Sequence, residues 1–175
     1  MAEILPEKWM KGVALTTTVL AVLTSIASSR ASYCVAQAQL KTALEGSKWA
    51  YYQAKSIKQS LAESQLKAFE ADILGSTTVE QKNLLLSHAS EYKANIARYE
   101  EEKEGIKQEA EKVGKDNAKI GRQGNQFSLS VVFFQIGIML SSVSALLKRK
   151  EMWALGLIFG AIACVFLANA MFLFF

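Results

Sequence analysis

Hydrophobic positions along this chain follow two rules, and the change from one to the other divides it. Residues 12–29, 123–147 and 152–175 contain no charged side chain and are mainly apolar. Runs of this length match the hydrocarbon thickness of a bilayer when coiled as helix, so three transmembrane helices are expected. Over residues 30–125 the apolar side chains recur instead at seven-residue spacing among charges, which is the pattern of helices that pack along a single stripe.

In the first half of that charged stretch a heptad set on Tyr33 collects Leu40, Ser47, Ala54 and Leu61 at one seam position and Ala43, Ala50, Ile57 and Ser64 at the other. The seam so defined is mostly small. In the second half the matching positions are Leu85, Tyr92, Tyr99, Ile106, Val113, Ile120 and Phe127, with Ala89, Ile96, Lys103 and Ala110 between them. Small side chains facing large ones interdigitate, so the two halves are expected to lie side by side as antiparallel helices. The hairpin seam predicted this way runs through Leu40, Ala43, Ala50, Ala54, Ile57 and Leu61 on one arm and Tyr92, Ile96, Tyr99, Ile106 and Val113 on the other.

A turn is expected near residues 74–78, where Gly75 suits a left-handed helix-closing residue and Thr77 with Glu80 forms a capping box. The arms are then nearly equal, each about 65–70 Å long at 1.5 Å per residue. Pro6 can open the first helix, and nothing after it obliges that helix to stop before Leu74.

The predicted fold is therefore an all-α membrane protein with three transmembrane helices and a long antiparallel coiled-coil hairpin between the first and second. Residues 1–29 hold the amino-terminal segment and first span, 30–125 the hairpin, 126–147 the second span, 148–151 a basic loop and 152–175 the third span. The first span, rich in Thr and Ser, reads as an uncleaved signal anchor, because no clean small-residue cleavage site precedes Ser32.

Charge refines the picture. Residues 30–125 carry 15 Lys and Arg against 13 Asp and Glu, largely interleaved, which describes a solvated helix surface and not a nucleic-acid-binding stripe. Lys148, Arg149 and Lys150 form a short basic loop on the same side as Lys8 and Lys11. By the positive-inside rule the amino terminus and this loop face the cytoplasm and the hairpin faces the periplasm or exterior.

Within the spans, small residues recur at every fourth place: Gly156, Gly160, Cys164 and Ala168; Gly137, Ser141 and Ala145; Thr17, Ala21 and Ser25. Such stripes let helices approach closely. Gln135 and Asn169 are the strong polar groups at depth and are expected to bond between helices, or else to line a pore. Cys34 and Cys164 lie too far apart along the predicted helices to bridge.

Trp49 and Tyr52 fall on the face of the first arm turned away from the predicted seam, beside Lys48 and Lys55. Aromatic rings on such a face point to contact with another chain, so these four are the candidate oligomer contact.

The segment WAYYQAKSIK at residues 49–58 resembles a bacterial membrane-protein family known as domain of unknown function 4337. The stretches WMKGVALTTTVLAVL, RYEEEKEGIKQEAE and FFQIGIMLSSVSALLKRKEMWALGL are similar in kind and order to the same family, so the resemblance covers nearly the whole chain. It departs where Gly46, Ser47 and Lys48 precede the tryptophan, a place where relatives often carry an acidic or amide residue. The resemblance implies a membrane protein with a coiled-coil segment and implies no activity; the bacterial inner membrane is the expected location.

Enzyme readings lack parts. The single histidine, His88, has no cysteine or acidic cluster nearby in sequence, and the carboxylates of Glu100, Glu101, Glu102 and Glu104 point around a helix without converging. No catalytic residue, metal site or cofactor is expected. The partners expected are the lipid bilayer, further copies of the chain in a homo-oligomer and an unidentified membrane protein, with no nucleic acid. The leading function is a self-assembling structural or interaction scaffold that presents the hairpin. The alternatives are an oligomeric channel or transport accessory subunit, and a sensor hairpin acting through a partner.

Overall fold

A computed structural model describes residues 8–75 and 78–172 and shows three helices: α1 (Lys8–Gly75), α2 (Val79–Leu147) and α3 (Lys150–Phe172). The expectations for Pro6 and Thr77 lie outside the described residues. The 68 residues of α1 contain no proline and, before its last residue, only two glycines, Gly12 and Gly46, so it runs unbroken. All three helices are long and apolar enough, over at least part of their length, to cross a membrane.

Gly75 ends α1 without the left-handed conformation expected of it, since no described glycine has positive φ. The left-handed residue is Lys148, with φ of 54°, just past the end of α2. Arg149 N–H donates to the Ser144 carbonyl at 3.2 Å, and Ser144 Oγ donates to the Arg149 carbonyl at 2.9 Å. The backbone bond is the six-to-one closure of a Schellman motif, which satisfies a carbonyl that the helix end would otherwise leave bare. Lysine stands where glycine is usual.

The chain divides into two compact units. The apolar unit takes residues 8–39 of α1, residues 117–147 of α2, and α3. Here α2 runs antiparallel to the other two: Gly124 meets Cys34, Gly137 meets Gly156, and Trp153 reaches Gly12 and Thr16. One core joins Leu20, Ala27, Phe134 and Ala163, and a second joins Cys34, Phe127 and Ala170. Hydroxyls of Thr16, Thr17, Thr18, Thr24 and Ser25 donate to carbonyls three or four residues back, so these polar residues enter an apolar helix without an orphaned proton.

Glycine sets the spacing in this unit. A Cβ on Gly156 would stand 2.9 Å from the Gly137 carbonyl oxygen and 2.7 Å from Ser141 Oγ, and one on Gly160 would stand 2.9 Å from Leu20 Cδ2. The small-residue stripe of α2 thus faces inward, with Gly137 and Ser141 buried. On α3 only Gly156 and Gly160 do so. Cys164 and Ala168 are exposed, as are Ala21 and Ser25 of α1. The turn of the helix carries a four-residue stripe off the contact within two repeats, because four residues overshoot the 3.6 of one turn.

The charged unit is Leu40–Asp116, a pair of antiparallel helices from α1 and α2. On α2 the inward residues are those the heptad predicts: Ile106, Ala89 and Ala110 are buried, and Leu85, Tyr92, Ile96, Tyr99, Lys103 and Val113 are half-buried. On α1 the seam is a different set. Leu40, Ala43, Ala50, Ala54, Ile57 and Leu61 are all exposed, with Leu40 at 66% and Ile57 at 69%. The residues turned to α2 are Lys41, Glu45, Lys48, Tyr52, Lys55, Gln59, Ala62, Leu66 and Phe69, spaced alternately four and three. That spacing is also a heptad, with long polar side chains in place of alanines.

Candidate interaction surface

The contact between α1 and α2 in the charged unit is a ladder of ion pairs. Lys41 faces Asp116, Lys48 faces Glu109 and Lys55 faces Glu102, so each step of seven along α1 is answered by a step of seven back along α2. Lys93 and Glu70 continue it at 3.2 Å. The electrostatics follow the pairing. The hydrogen bond from Lys55 holds the Glu102 carboxyl below its ordinary range and that from Lys48 does the same for Glu109, while Glu102 raises the Lys55 ammonium in return. Glu100 is lowered by Gln59 and then by Lys103.

Aromatic rings fill the gaps between rungs. Lys55 Nζ sits 5.4 Å from the Tyr99 ring centroid and 5.5 Å from that of Tyr51. Lys103 Nζ lies 5.6 Å from the centre of Tyr52 and donates to Gln59 Oε1 at 2.8 Å. The small seam expected of α1 is thus replaced by lysine stems laid on tyrosine faces, a contact whose cation–π attraction offsets the loss of aliphatic packing.

The four residues expected as the oligomer contact are not on an outward face. Lys48 and Lys55 are consumed by the ladder, and Tyr52 is half-buried under Lys103. Trp49 is half-buried and meets Tyr52 edge to face, with ring centroids 5.6 Å apart. The face they were assigned to is the contact with α2. The outward face belongs to the residues assigned to the seam. Between residues 40 and 57 every charged residue of α1 is turned toward α2: three are in ion pairs, and Glu45 lies so close over Gly114 that a Cβ there would stand 2.8 Å from its Oε1. What remains outside is uncharged. Leu40, Leu44, Tyr51 and Ile57 are between 44% and 69% exposed along it.

The polar residues of the spans are also placed differently. Gln135 and Asn169 are exposed on the surface of the apolar unit and are not turned to a neighbouring helix. Backbones held apart only by Gly156 and Gly160 leave no room for an amide between them. Interhelical bonds come from residues not singled out in sequence: Gln123 Nε2 donates to the Ala170 carbonyl at 3.1 Å, and the Trp153 indole N–H donates to Thr16 Oγ1 at 3.1 Å. Neither carries a local signal, since each depends on which helix end arrives opposite.

His88 stacks on Phe69 at 5.7 Å between ring centroids. Among the described residues no three His, Cys, Asp or Glu side chains come together as metal ligands. Cys34 is buried beneath Phe127, whereas Cys164 is exposed.

Two comparisons give nothing: no curated protein and no solved structure matches the chain. A family model does match, that of the domain of unknown function 4337, over residues 9–173. The chain belongs to that family.

Proposed function

We propose that this member of the domain of unknown function 4337 family is an integral membrane protein of the structural or interaction class, not an enzyme. The apolar unit is its anchor, and the helix pair of the charged unit is a coiled-coil element presented by a self-assembling scaffold. The observation that carries this reading is the uncharged outer face of α1 between Leu40 and Ile57, where the charged residues of the helix are turned to α2. Water-facing helices keep charge outward, and an apolar outward face is a docking surface in the usual reading of such patches. Outward Gln135 and Asn169 support it, because amides on a lipid-facing surface seek partners on another membrane chain.

The membrane is the bacterial inner membrane. The basic corner of Lys148, Arg149 and Lys150 lies on its cytoplasmic side, with the charged unit opposite. The test is extraction and labelling in the native host. Expected is a chain that stays with alkali-washed membranes and, carrying Ser90→Cys, reacts with a membrane-impermeant maleimide added outside. Release by alkaline carbonate would refute the anchor; labelling only after lysis would reverse the orientation.

A further inference from the structure

We infer that the outer face of α1 between Leu40 and Ile57 is where a second copy of this chain docks, in parallel and across a two-fold axis. The inference rests on the membrane-anchor reading, which sets both copies the same way up.

The face is built as a helix-pairing face. Leu40, Ala50, Ala54 and Ile57 fall on its heptad, with Leu44 and Tyr51 at its edge, and all six are exposed. A seven-residue apolar repeat matches a partner helix that repeats in the same way, since a supercoiled pair keeps one seam in contact over several turns. The structure already gives α1 one such partner, α2, on the opposite heptad. A helix with two heptads can take two helical neighbours, and among the described residues none covers the second.

Charge selects among occupants. The charged residues of this stretch are turned to α2, and the positions flanking the outer face include Gly46 and Gln53. A lipid surface is met by helices whose apolar face is bordered along its length by Lys and Arg, whereas the exposed border here has a single cation, Lys58, at the Ile57 end. An unlike protein is commonly registered by complementary charge, which has nothing here to read. A second copy brings the same uncharged face, so a two-fold axis sets neutral residues against their own equivalents with no like-charge repulsion. The alanines at positions 50 and 54 let the two backbones come close, and Leu40 and Ile57 pack at either end.

The experiment is disulfide trapping in native membranes with the full chain, after replacing its own thiols by Cys34→Ala and Cys164→Ala. Expected are dimer-sized products on mild oxidation for Ala50→Cys and for Ala54→Cys, and none for Ala97→Cys on the exposed side of α2. As a second measurement, Ile57→Glu should lower the dimer fraction in native mass spectrometry at least tenfold. Ile57 is 69% exposed, so this change leaves the fold in place, as circular dichroism would confirm. A monomer at all three cysteine positions, equal trapping at Ala97→Cys, or trapping to a product of another size would each overturn the inference. A chain that stays in washed membranes yet fails to trap would refute the pairing alone, whereas a chain released by the wash would refute the anchor.

Discussion

Where α2 meets α3 at Gly137 and Gly156, main chain lies against main chain; where α2 meets α1 at Tyr99 and Glu102, rings and lysine stems fill the space. The apolar unit works by subtraction: side chains are removed until helices touch, which suits surroundings that give no hydrophobic push. The charged unit works by addition, with long side chains spanning a gap that water would otherwise enter. The same α2 does both, changing from serine and glycine at Ser130, Gly137, Ser141 and Ser144 to tyrosine and isoleucine at Tyr92, Tyr99 and Ile106.

The contrast can be broken from either side. The largest effect is expected at Ile106, buried in the charged unit: Ile106→Ala should cost about 2–4 kcal/mol, against under about 0.5 kcal/mol for exposed Leu84→Ala, both read by thermal unfolding in detergent. Next comes the apolar unit. Gly156→Val puts atoms into the Gly137 carbonyl and should cost about 1–3 kcal/mol, whereas Gly105→Ala in the charged unit, where nothing lies within 4 Å, should gain about 0.5–1 kcal/mol. Opposite signs for two glycine replacements in one chain would sharpen the comparison; matching signs would end it.

A gain of about 1 kcal/mol, at the lower end of the cost set for Gly156→Val, is expected from Lys148→Gly, which relieves a left-handed lysine without touching either unit's packing. A rise in the melting temperature of the purified chain is the readout.

The smallest effect is that of pH, and it should be confined to the charged unit. Glu102 and Glu109 are held below the ordinary carboxylate value of 4.5, so their contribution is complete above that pH and is lost as acid carries them through their lowered values. Lys55 is raised above 10.5, so its contribution is complete below that pH and is lost as alkali passes the raised value. Amide hydrogen exchange should show residues 40–116 loosening at both extremes, with residues 127–144 unchanged between them.

These contrasts also explain what the sequence could and could not reveal. The three apolar helices and the α2 stripe from Leu85 to Phe127 were legible because large apolar residues at a fixed period have few other uses. The α1 register is masked for the same reason. Alanine and leucine advertise a heptad openly, while Lys41, Lys48, Lys55 and Gln59 read as surface until Asp116, Glu109, Glu102 and Lys103 are set opposite them. Gln123 and Trp153 were silent because a single hydrogen bond to a distant helix leaves no periodic trace.

The corner between α2 and α3 closes through its own main chain and the hydroxyl of Ser144. At this corner the bonds use the main-chain N–H and C=O of Arg149, and its guanidinium plays no part in them. On the proposed orientation, sidedness in the bilayer and closure of the bend therefore rest on separate atoms of Arg149. If that orientation holds, exchanging the basic ends for neutral ones is expected to turn the molecule over without undoing the bend.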